Sequence, residues 1–400
     1  MNTDFFAFLR WCVDDHAPIP YELDKMDWAA LYQFMQEQAL LGVGFEGINK
    51  VSGSKGQGAR KIPREILLQW LAASEQIRQR NQVLNKRCVE VSQYFERSGF
   101  DTCVLKGQGN AVMYPNPYSR TCGDIDIWCL APSSSKDKGN LSGEWDQKIK
   151  DIIRFVRRRN PKGKICFHHI DAGMFDGVDV EVHYRPSFMN NLIYNRRLQR
   201  WFDAHTDIID DTAYKIESGR REVDLPGGAG KIYVPTTAFN IVYQLAHLYN
   251  HLIHEGIGLR QFVDYFYLLK ANKELEGVRG SYRSAQGVKG QYHETLSKLN
   301  LYKFAGAVMY VMREVFHLEE QYMIAPVDEK RGRFLLNEIM LGGNFGQHDS
   351  RVNRAVSPLA RNVQRLKRDF RLVRYFHSEC LWEPVFRWYH FFWRLRHANI

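Results

Sequence analysis

Apolar residues return at helical spacing through "DWAALYQFMQEQALLGVGFEGI" (27–48), and again through "PREILLQWLAASEQIRQRNQVLNKRCVEVSQYFERSGF" (63–100). Pro63 stands where a helix can begin and Gly99 where one should stop. At Phe100 the grammar changes. "FDTCVL" (100–105) is a short apolar run, "GQGN" breaks it, "AVMY" (111–114) predicts a short helix, and "PNPYSRTCG" a loop. "DIDIWCL" (124–130) then alternates with period two, as a half-buried strand does.

The stretch "APSSSKDKGNLSGEW" (131–145) is rich in Ser, Gly and Lys and predicts a mobile surface loop. A helical stripe follows in "DQKIKDIIRFVRRR". "KICFHHIDAGMFDGVDVEVHYRP" (164–186) then predicts two strands around a turn containing Gly173 and Gly177. From about residue 235 the helical period returns in "PTTAFNIVYQLAHLYNHLIHEGIGLRQFVDYFYLLKAN" and "ETLSKLNLYKFAGAVMYVMREVFHL", with "EGVRGSYRSAQGVKGQ" (276–291) between them as a loop. No internal repeat is visible. The order predicts an α+β chain: an N-terminal helical region (1–98), a small mixed α/β core (99–234) and a C-terminal helical region (235–400).

Composition narrows the class. Four hundred residues with 44% hydrophobic content are enough to bury a large core. The formal net charge of +10 favours an anionic partner such as a nucleotide, nucleic acid or acidic surface, and is equally consistent with a charge excess that only maintains solubility. Seven scattered cysteines without a CxxC pair argue against a disulfide framework or zinc ribbon, so a reducing cytoplasm is the expected location. Asp4, Arg10, Asp14 and Asp15 interrupt the apolar N-terminus, which suits an amphipathic helix better than a signal peptide. No apolar stretch has the length of a transmembrane span.

The candidate chemistry lies in the mixed region. Side chains two apart on a strand share a face, so Asp124 and Asp126 would present two carboxylates while Ile125 and Ile127 face a core. Such a pair suits magnesium and phosphate, although a DxD at a strand start is also an ordinary solvated edge. "VLKGQGNAV" offers a strand, a Gly-containing turn and a helix start, a way to aim backbone N–H groups at phosphate. "VDVEVHY" adds Glu181 between two valines. If its strand lies beside the Asp pair, three acids converge and require a neutralising cation. Asp179, nearer the turn, is the rival third acid.

The pattern "VLKGQGNAVMYPNPYSRTCGDIDIW", with "EVHYRP" and "LAHLYNH" downstream, resembles the bacterial uncharacterised nucleotidyltransferase family of the polymerase-beta-like superfamily over roughly residues 100–270. The resemblance implies that Asp124, Asp126 and Glu181 hold two magnesium ions, with manganese as an alternative, and that Glu181 assists deprotonation of the acceptor hydroxyl. It implies a nucleoside triphosphate such as ATP held by Lys106, Gly107, Gln108, Arg120 and Gly123. The implied reaction is transfer of a nucleoside monophosphate, with pyrophosphate leaving, to an unidentified small molecule, saccharide or protein. Gln108 stands where the superfamily usually has serine, which leaves open a non-catalytic nucleotide-binding or scaffold protein of the same fold.

Other residues carry two readings each. Arg120, four before Asp124, is a phosphate ligand or a surface cation pairing with an acid. Lys106 stands where an ammonium would neutralise phosphate. His183 shares the strand face of Glu181 and either orients that acid, contacts substrate or makes a structural hydrogen bond. Only one of His168 and His169 can face the site. His247 and His251 are one helical turn apart, with Glu255 a further turn on, and read as structural, acceptor-side or metal-binding residues. The aromatic C-terminus, with Arg387, His390, Arg394 and His397 on one stripe, predicts core or oligomer packing rather than a membrane-surface helix. The arginine-rich run 351–374 reads as a charged helix face, with nucleic-acid binding as the alternative.

Overall fold

In the computed structural model the described residues are 3–21, 23–53, 62–130, 141–206, 219–278, 287–352 and 357–398. They form an α+β chain that divides into two compact units, each assembled from separated segments. The first contains Met1–Arg80, Met113–Thr121 and His247–His377; the second contains Asn81–Val112, Cys122–Ala246 and Ser378–Ile400.

The N-terminal helices are α1 (Thr3–Val13), α2 (Trp28–Glu37), α3 (Leu41–Gly53) and α4 (Arg64–Arg97). The run 27–48, continuous in its periodicity, is broken into α2 and α3 where Ala39 takes φ +55°. Asp27 caps α2 by accepting from the Ala30 N–H at 3.0 Å, satisfying one of the donors that a helix start leaves open. Gly99, at φ +88°, ends α4 in the left-handed conformation that a Cβ disfavours.

The mixed region supplies β1 (Asp101–Val104), the one-turn α5 (Gln108–Ala111), β2 (Ile125–Leu130), α6 (Leu141–Arg157), β3 (His169–Asp171), β4 (Val180–His183) and α7 (Leu192–Asp203). The short helix thus falls on the glycines rather than on "AVMY". Helix α6 begins inside the segment expected to be loop; residues 131–140 of that segment lie outside the described residues. A second sheet, not anticipated from the sequence, pairs β5 (Arg220–Leu225) with β6 (Gly230–Pro235). The C-terminal helices are α8 (Thr237–His254), α9 (Leu259–Val278), α10 (Gly287–Lys298), α11 (Tyr302–Phe316), α12 (Glu329–Gly342) and α13 (Pro358–Ala398). Both ends of the expected loop 276–291 are therefore helical, its centre lying outside the described residues. In the run 351–374, residues 353–356 also lie outside them.

The first unit is helical. Its core gathers Phe8, Leu9, Leu31, Trp70, Tyr265, Phe266 and Phe304, all fully buried. Each such apolar side chain contributes about 1.5–3 kcal/mol by leaving water. In the second unit the four-stranded sheet runs β1-β2-β4-β3, with β2 and β4 parallel and both outer pairs antiparallel. Val104, Ile125, Ile127, Ile170, Val180 and Val182 lie in one core with Ile149, Ile152, Ile153 and Val156 of α6 and Phe386 and Trp393 of α13. Phe386 and Trp393 of the aromatic C-terminus are thus internal, while Trp388, Tyr389, Phe391 and Phe392 are exposed. His397, at its end, is buried with Nε2 3.0 Å from Asp146 Oδ1.

No described helix is long and apolar enough to cross a membrane.

Candidate active site

The apolar sides of β2 and β4 face the core of the second unit, so alternation turns Asp126, Glu181 and His183 to the other face. Parallel pairing sets Asp126 opposite Glu181 and Trp128 opposite His183. On β4's other edge, antiparallel pairing sets His169 opposite His183 and Asp171 opposite Glu181. One sheet face therefore collects three carboxylates and two imidazoles from three strands, and Asp124 lies at the entrance to β2.

Asp126 is the best enclosed of the carboxylates, 2% exposed. Its Oδ1 accepts from Lys106 Nζ at 2.8 Å and lies 2.9 Å from His183 Nε2. Burial alone would raise its pKa, but the adjacent cations win and hold it well below the usual carboxylate range. For the same reason Lys106, which burial would push down, stays above its ordinary value beside Asp126. At Asp124 the balance is reversed, although Lys106 opposes the shift. The charge of Asp126, reinforced by desolvation, lifts its carboxyl to about 6.

Glu181 Oε2 lies 3.3 Å from His183 Nε2 and 3.2 Å from His169 Nδ1. Burial pulls His183 down, yet its hydrogen bonds to Asp126 and Glu181 prevail and raise it to about 9. His169 goes the other way, to about 4, because burial is reinforced by the positive charge of His183. Of the two neighbouring histidines, His169 reaches the acids, and its Nδ1 lies 3.0 Å from Nε2 of His168.

Glycines shape the turn between β1 and α5. Gly107 takes φ +55°. A Cβ on Gly109 would lie 2.8 Å from the Val104 carbonyl oxygen and 3.1 Å from Val234 Cγ1, so the second glycine serves close approach. The N–H groups of Gly109, Asn110 and Ala111 donate to Lys106 and Gly107 carbonyls within the turn. The Gln108 side chain is buried and donates through Nε2 to Asn85 Oδ1 of α4. Gly123 is exposed, and a Cβ there would meet no atom within 4 Å.

The remaining candidates make other contacts. Arg120 belongs to the first unit, where its Nε and Nη2 donate to the two carboxylate oxygens of buried Asp264, each at 2.8 Å. Tyr114 also donates to Asp264, at 2.6 Å. His247 and His251, also in the first unit, have their Nε2 atoms 2.7 Å apart, with Glu255 3.1 Å from His251 Nδ1. Asp179 is exposed just before β4, and its carbonyl accepts from the Ile125 N–H. Sequence reading missed Asp171, whose signal was the same alternation from His169. It also missed Asn85, whose place beside the turn had no local signal.

Among the described residues, three groups bring donor atoms within 4.8 Å of one another: Asp126, Glu181 and His183; His168, His169 and His183; and His169, Asp171 and Glu181. Hard carboxylate oxygens beside a raised ammonium suit a divalent cation and a phosphate.

The second unit thus joins a small mixed sheet, acids on one face, to a glycine-containing turn. The chain belongs to the family described as uncharacterised nucleotidyltransferase, whose model matches residues 24–317. Comparison with curated proteins and with solved structures gave no significant match.

Proposed function

We propose that this protein is a metal-dependent nucleotidyltransferase of the polymerase-beta-like kind. It would transfer a nucleoside monophosphate from a nucleoside triphosphate to a hydroxyl or phosphate of an acceptor still to be found. The register of Asp126 against Glu181, with Lys106 on the same cluster, supports this reading most.

The donor set fits a divalent cation. Lys106 Nζ and His183 Nε2 both lie within hydrogen-bond distance of Asp126 Oδ1, so a position for positive charge is built into the face. Asp124, Asp126 and Glu181 would hold the cation, magnesium or manganese, which when bound would neutralise the triphosphate and the developing charge on pyrophosphate. Lys106 neutralises a non-bridging phosphate oxygen once Asp126 has another counter-charge. Gly107 keeps the turn free of a Cβ where the triphosphate approaches. Glu181 accepts the acceptor hydroxyl's proton as the acceptor oxygen bonds to the α-phosphorus and the α–β bridging bond breaks.

A second reading, a nucleotide-binding protein without turnover, draws on Gln108. Its side chain is engaged with Asn85, and three of the turn's N–H groups are used internally.

Calorimetry with each nucleoside triphosphate and magnesium, comparing the wild type with Asp124→Asn/Asp126→Asn, tests the site. Metal-dependent binding lost in the variant supports it; equal binding by both proteins sinks it. Pyrophosphate release across an acceptor panel then separates the two readings.

A further inference from the structure

We propose that the cation of this face takes an imidazole nitrogen from His183 together with oxygens of Asp126 and Glu181, and that the site selects a first-row transition ion such as manganese(II) over magnesium. The inference rests on the metal site of the preceding reading, but on no nucleotide.

The argument begins with a hydrogen bond on the far side of the ring. His183 Nδ1 lies 3.3 Å from the backbone carbonyl oxygen of Arg185. A carbonyl oxygen only accepts, so Nδ1 must carry a proton, and in the neutral ring Nε2 then bears the lone pair. That lone pair points at Asp126 Oδ1, 2.9 Å away, and at Glu181 Oε2, 3.3 Å away. Both are acceptors when ionised. Three acceptors facing one another in a site where His183 is 1% exposed need something electropositive between them. A proton on Nε2 serves in the metal-free chain, and a metal ion satisfies all three atoms at once.

The surroundings are those of a ligand set. An imidazole held by a backbone carbonyl at one nitrogen, with the other nitrogen aimed at carboxylates, is how metal-binding histidines are commonly oriented. Glu181 is steadied from outside the trio by His169 Nδ1 at 3.2 Å, and Asp126 by Lys106 at 2.8 Å. All three proposed ligands lie on adjacent, in-register strands, which fixes their spacing better than a loop would.

Ion choice follows from donor chemistry. Magnesium prefers oxygen ligands and gives up water reluctantly, whereas imidazole nitrogen suits zinc, copper, iron and nickel, and manganese, itself commonly held by oxygens, opens the same transition series. A site of two carboxylates and one imidazole therefore favours that series.

The test uses manganese(II) and the full chain without nucleotide. Pulsed electron paramagnetic resonance should show nitrogen coupling to bound manganese in the wild type and in His169→Ala, and none in His183→Gln. Calorimetry should show manganese binding more tightly than magnesium, with His183→Gln lowering manganese affinity at least about tenfold. Circular dichroism of the metal-free variants checks folding, and His183→Asn serves if the glutamine variant fails to fold. The proposal is overturned if wild-type manganese shows no nitrogen coupling, if the coupling survives in His183→Gln, if the two ions bind equally, or if neither binds. Failure of nucleoside triphosphate binding would leave a positive manganese result standing, so the two readings fail separately.

Discussion

Lys106 Nζ lies 2.8 Å from Asp126 Oδ1, joining the turn after β1 to the buried acid of β2. In the metal-free chain this ammonium and His183 together balance Asp126. Replacing Lys106 by Met should therefore lower the stability of the metal-free protein by about 2–4 kcal/mol, because a buried carboxylate loses one of its two counter-charges. Thermal unfolding in chelator would show the loss, and added divalent cation should recover part of it. An unchanged melting temperature would mean that His183 alone suffices.

Glu181 is assigned the proton transfer in addition to a share of the cation, and glutamine keeps one oxygen for the second task. Glu181→Gln keeps its size while removing the base, so turnover should fall roughly 100- to 10,000-fold, with triphosphate affinity changing far less. Single-turnover kinetics beside calorimetry would separate the two. A proportional fall in binding would reassign Glu181 to substrate positioning.

The glycines of the site should differ sharply. Gly109→Ala places a Cβ against the Val104 carbonyl at 2.8 Å and should cost about 1–3 kcal/mol. Gly107→Ala meets only ordinary contact but must hold φ +55°, at about 1–2 kcal/mol. Gly123→Ala, with open space around it, should change stability by less than about 0.5 kcal/mol. Denaturant melts of the three variants check the order.

Arg120 supplies a stability prediction. Arg120→Ala would leave Asp264 buried without its two-pronged partner and should destabilise the protein by about 3–5 kcal/mol. Lysine cannot reproduce both hydrogen bonds and should rescue only part. Chemical denaturation would measure both. Full stability in the alanine variant would show that the pair with Asp264 contributes nothing net.

Glu379 on α13 predicts a pH dependence away from the site. Its Oε2 accepts from the Asn190 N–H at 2.5 Å, while Oε1 is buried with no hydrogen-bond partner among the described residues. Burial raises the carboxyl from 4.5 to about 7. The folded state thus holds a proton that the unfolded chain releases. Its contribution is fully present below pH 4.5 and is lost as pH rises through 7, on the order of 3 kcal/mol. Glu379→Gln should flatten that part of the stability profile and stabilise the protein at pH 8. A parallel profile would show that the carboxylate is ionised throughout.

The sequence by itself determined what local periodicity can carry. Alternation put Asp126 on one side of β2, and Glu181 with His183 on one side of β4, because successive strand residues point to opposite faces. Gly99 and Gly107 could be read as chain-breaking positions because a left-handed backbone favours glycine. Tertiary structure alone decided which faces meet. The pairing of β2 with β4, and so the meeting of Asp126 with Glu181, depends on strand order and register, which no single strand encodes. Pairing with β4 likewise set His169 against the acids and, contrary to the expectation that only one of the pair could face the site, brought His168 into the same cluster. The partner of Arg120 lies 144 residues along the chain, out of reach of any spacing rule, and so a side chain beside the acidic motif in sequence is held by Asp264. Local backbone sterics act within a few residues and are legible there; the balance of buried charge is settled only by what the folded chain brings within a few ångströms.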